Sequence, residues 1–357
     1  MQLAVVDAGA NVGWNMADKI TPFTERAGVQ DDVEPPRADW PAWPTYGLVD
    51  DLLPVLQTWQ FQGRRIALAT LVHVSGSSPR PVGSEMAIND RGEVAGYVSG
   101  GCVEAAVAAE ALQVLDTGTP VTLDYGAGSP VLDVQLTCGG RIGIFVRALD
   151  DASDYIARWT HARTHRQPFD VRVDLADGSH RYGVMDGDTG RRVFHQRHLP
   201  RPRLVIAGGD PVTLALAQLA PTFGCEVVLL RPYGPAAPPP DTTLAHYDTR
   251  PLDRALDGLE LDASSAVYTL THDIDDDHAM LAKALASPAF SVGALGSRRK
   301  AAERLQRLRS DGFEEEALAR LHTPAGLDIN ARQPREIALS MLAELVALRP
   351  RERAAQA

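Results

Sequence analysis

Two short runs of small residues carry the chemistry open to this chain. The first, Gly76-Ser77-Ser78-Pro79-Arg80-Pro81-Val82-Gly83, follows an apolar run of strand length, Ile66 to Val72. Gly and Ser add little bulk, so a ligand can reach the backbone, while Pro79 and Pro81 restrict the loop before anything binds. Arg80, held between two prolines, offers a planar fork of donors to a phosphate or a carboxylate. The second run, Ser99-Gly100-Gly101-Cys102-Val103-Glu104, opens a helix expected over Cys102 to Leu115, with Val103, Ala106, Val107, Ala111 and Val114 on one face and Gly118 and Pro120 stopping it. Free amides at Ser99, Gly100, Gly101 and Cys102 would favour an anion. A helix N-terminus also favours the thiolate of a cysteine beside it, which makes Cys102 a candidate sulfur ligand.

A third small turn, Thr137-Cys138-Gly139-Gly140-Arg141, precedes another expected strand and could face the first loop. Taken singly, each run is ordinary, because Gly-Ser-Ser-Pro is common in surface loops and a lone cysteine more often packs than reacts. The first two runs joined by a hairpin point to one glycine-lined pocket for an anionic guest, and two thiols beside it would suit a sulfur-containing one.

Helix and strand periods place these loops. Leu48, Leu52, Val55, Leu56 and Trp59 form a helical stripe, with Pro54 marking a kink or a later start. Glu85 to Ile88 and Val94 to Val98 should pair across a turn containing Asp90 and Gly92, and Val121 to Tyr125 and Arg141 to Val146 read as further strands. Residues 169 to 195, with turns at Asp177-Gly178 and Asp186-Gly187-Asp188, are expected to extend the same sheet and to carry no chemistry.

From Leu204 the pattern changes to strand-turn-helix. Strands at Glu226 to Leu230, Ala266 to Leu270 and Ala289 to Val292, with a helix from Asp277 to Leu285, predict a parallel sheet. A dinucleotide fingerprint would want glycine where Asp210 and Thr213 stand, and an acid where Leu230 and Arg231 end the second strand. Thr271-His272-Asp273 should lie at the carboxyl edge of this sheet. Gly293-Ala294-Leu295-Gly296-Ser297-Arg298-Arg299 should open a helix there, so that Gly296, Ser297 and Arg298 offer amides and a guanidinium to an anion. Asp275, Asp276 and Asp277 are read as a helix start rather than a metal site. The helix Pro334 to Leu348 bears Ile337, Met341, Leu342, Leu345 and Val346, enough either to seal its own sheet or to form a homodimer contact.

The fold class is therefore α/β: an irregular extension over 1–45 whose Trp14, Trp40 and Trp43 could dock on a partner but more often pin such an arm to its own domain, a mixed α/β domain over 46–198, a Rossmann-type doubly wound parallel-sheet domain over 199–350, and a tail over 351–357. The chain has 357 residues and a formal net charge of -11, which argues against nucleic-acid and anionic-membrane partners. Cys102, Cys138 and Cys225 are odd in number and widely spaced, which fits neither a disulfide framework nor a zinc site. Without a signal-like start or a membrane-length apolar run, a cytoplasmic protein is expected.

The loops resemble the signature of the XdhC/CoxI family. The matching pieces are Gly76 to Arg80 with Gly83, Ser99 to Glu104, and Thr137 to Arg141. The C-terminal part is similar as well, at Thr271-His272-Asp273, Val292 to Arg299, Leu321 to Ile329 and Pro334 to Ala338, so the likeness runs over roughly 46–348. That resemblance implies a chaperone that binds molybdenum cofactor (molybdopterin), supports its sulfuration and delivers it to an apo molybdenum hydroxylase such as xanthine dehydrogenase, with a cysteine desulfurase as a further partner. On this reading Ser77, Ser78, Arg80, Gly100 and Gly101 hold the phosphate or pterin, and Cys102 lies near molybdenum or its sulfur. The family usually shows Gly-x-Gly where this chain has Gly208-Gly209-Asp210, and a second histidine where it has Ile274. An NAD(P)-dependent oxidoreductase using the second half is the alternative, and a scaffold with vestigial sites is a third.

Overall fold

A computed structural model describes residues 43–126, 139–183 and 192–350, all within one compact unit of the chain. The 1–42 portion of the extension, Cys138, the Asp186-Gly187-Asp188 turn and the tail lie outside the described residues, as does the side chain of Arg298.

In the N-terminal part, α1 (Leu53–Phe61) starts later than Leu48 because Pro54 occupies its first turn. It is followed by β1 (Ile66–Ser75), β2 (Glu85–Asn89), β3 (Val94–Gly96), α2 (Glu104–Thr117), β4 (Val121–Gly126), β5 (Arg141–Ala148) and α3 (Ala152–Thr164). The five strands form one antiparallel sheet in the order β3-β2-β1-β5-β4. Strand alternation sorts the core: Ala67, Ala69 and Leu71 face α2, while Leu68 and Phe145 face α1 and α3. Gly118, in the left-handed region at φ 70°, ends α2 where the sequence placed its stop.

The strands β6 (Phe169–Asp174), β7 (His180–Tyr182) and β8 (Val193–His198) do not extend that sheet, contrary to expectation. They form a separate three-stranded sheet, β7-β6-β8. Phe169, Val171, Val173 and Phe194 turn inward to Tyr155 and Trp159 of α3, so burying these aromatics takes precedence over edge pairing.

The C-terminal part runs β9 (Arg203–Gly208), α4 (Pro211–Leu219), β10 (Glu226–Leu230), β11 (His246–Asp248), α5 (Leu252–Asp257), β12 (Ser265–Leu270), α6 (Ile274–Leu285), β13 (Ser291–Ala294), α7 (Arg298–Ser310), α8 (Glu315–Leu318), β14 (Leu321–His322) and α9 (Pro334–Leu348). Its six strands are parallel in the order β11-β10-β9-β12-β13-β14. Leu204 and Ile206 face α4 and α9, whereas Val205 and Ala207 face α5 and α6, the two-sided burial of a doubly wound sheet. Met341, Leu342 and Leu345 are buried in this core, so α9 seals its own sheet. No helix of the described residues is long and apolar enough to cross a membrane.

Arg166 ties the two parts together. It donates to Asp262 at 2.5 Å, to Glu226 at 2.9 Å and to the Arg201 carbonyl at 3.3 Å. Nearby, the His198 ring lies 4.1 Å from Trp159 between centroids. Burial, with a smaller contribution from Arg163, pushes His198 down to about 3. Its 3.5 Å approach to Glu85 therefore involves a neutral ring and is not an ion pair at neutral pH. Unfolding restores an ordinary histidine, so between its usual range and about pH 3 the unfolded chain binds the extra proton and stability falls as pH falls. Urea unfolding at stepped pH should show a loss on the order of 3 kcal/mol from this group by about pH 4. In His198→Phe that component should vanish; an unchanged pH slope would show that His198 is not held neutral.

Candidate functional site

The loops meet at one end of the antiparallel sheet. Ser75, the last residue of β1, pairs with Arg141, the first of β5, so the Gly76 loop and the Gly139-Gly140 turn leave the sheet side by side. Their backbones touch: a β-carbon on Gly140 would collide with the Ser77 carbonyl, and one on Gly126 with the Gly140 carbonyl. Arg141 clamps the same corner by pairing with Asp124 and holds that carboxyl below its ordinary range. The second run approaches from β3, and a β-carbon on Gly100 would lie 3.2 Å from Cγ of Pro79. Arg80 covers the Tyr97 ring at 4.3 Å, and that ring also meets Gly47. Ser77, Ser78, Arg80, Ser99, Gly100, Gly101 and Cys102 thus belong to one loop cluster. Cys102 is solvent-exposed and Cys138 lies outside the described residues.

The free-amide expectation needs correcting. The helix begins at Glu104, not Cys102, and Glu104 is fully buried. Its carboxylate accepts from the Ser99 amide at 2.8 Å, the Ser99 hydroxyl at 2.7 Å and the Val103 amide at 3.2 Å, while the Cys102 amide donates to the Ser99 hydroxyl at 3.2 Å. The anion at this helix start is a side chain of the protein itself. Burial, and then Glu104, push the neighbouring Tyr46 phenol up. An acid in the first turn of an apolar helix was the available signal, but sequence reasoning gave Glu104 no role. Tyr97 was missed too, since a lone aromatic after a strand carries no motif. Arg80 keeps a different character: its Nε is buried without a hydrogen-bond partner among the described residues.

Gly296 and Ser297 are not brought to this cluster. They lie at the carboxyl edge of the parallel sheet, after β13, and that edge largely satisfies itself. Asp210 caps α4 by accepting from the Thr213 amide and hydroxyl, and the Arg231 guanidinium lies against Gly209. Asp273 caps α6. Asp277, buried, accepts from Thr269 and Thr271 and pairs with Arg304. These aspartates are a helix start, as expected, and no cluster of potential metal ligands occurs among the described residues. Ser297 is the cap of α7, its hydroxyl accepting from the Lys300 amide at 3.4 Å.

Comparison with known proteins finds matches in both parts of the chain. The family described as XdhC and CoxI matches residues 59–126, and the XdhC Rossmann domain matches residues 204–345. A molybdenum cofactor insertion chaperone of Escherichia coli, PaoD, is 32% identical over 291 residues, which span 80% of this chain and 84% of PaoD. The chain belongs to the XdhC and CoxI family. A Bacillus subtilis protein named as a probable subunit of xanthine dehydrogenase is 25% identical over 80% of this chain and 93% of its own length. A Bacillus halodurans crystal structure described as that of a xanthine dehydrogenase has the same fold, with a TM-score of 0.69, 23% identity and coverage of 83% of this chain and 95% of that one. Family membership supports a chaperone role, and the resemblance read from the loops stands.

Four substitutions test the cluster's architecture. Glu104→Ala leaves three buried donors without an acceptor and should cost about 3 kcal/mol in urea unfolding, against about 1 kcal/mol for Glu104→Gln. Equal costs would show that Glu104 does not organise the helix start. Gly139→Ala, at φ 71° in open space, should cost about 1 kcal/mol. Gly140→Ala should cost clearly more, since backbone must move; the reverse order would contradict the close approach to Ser77.

Proposed function

We propose that this protein is a molybdenum-cofactor insertion chaperone and not itself an enzyme. It shields the cofactor, supports its sulfuration and hands it to an apo molybdenum hydroxylase. The observation that carries this reading is that the loop bearing Arg80 meets the second family loop at Pro79 and the Gly139-Gly140 turn at Ser77, with the Arg80 guanidinium stacked on Tyr97. A terminal phosphate and a flat pterin match that donor and surface. Ser77, Ser78, Gly100 and Gly101 would add small groups and backbone amides, and the exposed thiol of Cys102 would give a soft contact to molybdenum or its sulfur. Cys138, from the third loop, is a second sulfur for the same cargo.

The named relatives support the same setting, because one is a cofactor insertion chaperone and another a probable component of xanthine dehydrogenase. Residues 46–198 would hold the cargo, with 199–350 as a Rossmann-type companion domain. Docking of the apo enzyme and of a cysteine desulfurase, homodimer formation and a cytoplasmic location belong to this reading. The oxidoreductase alternative is less favoured, since Asp210 and Arg231 occupy the approach a pyrophosphate would use.

The test is pterin content, read by fluorescence after oxidation of protein purified from a molybdopterin-competent host. Wild type should carry pterin and Arg80→Ala should not. The fold of the variant should survive, because the lost ring contact is worth about 1 kcal/mol. Cys102→Ser should retain pterin yet leave the target enzyme inactive. Pterin-free wild-type protein, or unaltered pterin in Arg80→Ala, would overturn the proposal.

A further inference from the structure

The C-terminal end of α3 carries two histidines that the family loops do not use. His161 lies in the last turn and His165 just past it, four residues apart, so they stand one above the other on a single face. Both are exposed, and their rings lie 4.1 Å apart between centroids at an interplanar angle of 36°.

One ring is already set to receive a ligand. Nδ1 of His165 lies 2.8 Å from the His161 carbonyl, which can only accept, so Nδ1 carries the proton and the lone pair is on Nε2. Metal-binding histidines are commonly held in this way, by a backbone carbonyl at the second nitrogen. The His161 ring has no hydrogen-bond or ion-pair partner among the described residues, so it can turn a nitrogen toward the same point.

Local charge favours a cation there. The carbonyl end of α3 is the negative pole of the helix. Arg158, Arg163 and Arg166, the arginines on either side in sequence, are each neutralised: Arg158 by Asp154 at 2.7 Å, Arg163 by Asp51 at 2.5 Å, and Arg166 by Asp262 at 2.5 Å and Glu226 at 2.9 Å. A bond from zinc to an imidazole nitrogen is about 2.0–2.1 Å, so two nitrogens sharing a metal lie within about 4 Å of each other. The two rings already stand at nearly that spacing.

We propose that His161 and His165 bind a divalent late transition metal of the class of copper, nickel or zinc. Imidazole nitrogens select these ions over magnesium and calcium, which require oxygen donors. No cluster of three His, Cys, Asp or Glu side chains occurs among the described residues, so water fills the remaining positions on the metal. Room for it exists, because His161 also lines an open cavity of about 440 Å³ with Pro168, Asp170 and Tyr182. The site uses none of the family loops and does not rest on the proposed function. Its consequence is mechanical. His165 directly precedes Arg166, the residue that joins the two parts of the chain, so a metal shared by the two rings cross-links the helix end from which that joint starts.

The test titrates the full chain, without any added histidine tag, with Cu2+, Ni2+, Zn2+ and Mg2+ by calorimetry. Cys102→Ser is carried throughout, so that the exposed thiol adds no soft donor. Copper should bind most tightly, nickel and zinc more weakly, and magnesium not at all. His161→Ala and His165→Ala should each weaken copper and nickel binding at least about tenfold. Both rings are exposed, so these variants should keep the helix content of the parent. Electron paramagnetic resonance of the copper complex should show coupling to two imidazole nitrogens. Nickel should raise the urea midpoint of the parent and leave that of His161→Ala in place, since only the folded helix holds the two rings together. Absence of copper and nickel binding at micromolar concentrations, or binding indifferent to both histidines, overturns the proposal. So does a loss of stability on substitution that is the same with and without metal, which would make the pair no more than a helix-end cap.

Discussion

The carboxylate of Glu104, buried at the first turn of α2 and bonded to Ser99 and Val103, occupies the place where a bound anion sits at many helix starts. Its charge has a directional effect on anything that binds nearby. An anionic guest gains nothing from the α2 axis, since the favourable potential there is already neutralised. Attraction must then come from the Arg80 side, where the guanidinium rests on Tyr97 and keeps an unused donor. An anionic cargo attracted from one side alone would bind in a defined orientation without being held tightly. In the proposed reading that suits a protein whose guest has to leave.

The glycines that first marked the loops have mainly a packing role. Gly126, Gly140 and Ser77 stack backbone on backbone, and Gly100 meets Pro79, so a β-carbon at any of these glycines would push the loops apart. Glycine in a motif is ambiguous for this reason: close approach of a ligand and close approach of another loop impose the same requirement on the sequence. Within the second and third runs, Gly101 and Gly139 meet nothing within 4 Å among the described residues, so their positive φ, and not a close neighbour, is what favours glycine there.

Periodicity made most of the fold legible. The alternation of Val205 and Ala207 against Leu204 and Ile206 follows from a sheet buried on both faces, and Pro54 and Gly118 set helix ends for local reasons that a sequence displays directly. What could not be read was non-local. Strands β6 to β8 have the same alternation whether they extend a sheet or form another, and the choice turned on Tyr155, Trp159 and Phe169 finding each other across separate elements. The internal use of the helix-start amides by Glu104 was hidden likewise, because a first-turn acid is usually solvated.

In the C-terminal part, side chains of the chain itself engage the edge at which doubly wound sheets usually meet a ligand. At its carboxyl edge Asp210 bonds Thr213, Arg231 covers Gly209, and Asp277 joins Thr269, Thr271 and Arg304, so the amides and charges that would greet a pyrophosphate are largely engaged within the protein. Engaging them costs little, because each group finds a partner of opposite character close by. The amino edge also has local partners, Asp262 with Ser264 and Ser265 and Glu226 with Arg203, yet it takes a further bond from outside. Arg166, bridging to Glu226 and Asp262, joins that edge to the N-terminal part. Parallel strands oblige both ends of the sheet to exist, and in this chain the closing of the usual end leaves the opposite one as the face the two parts share.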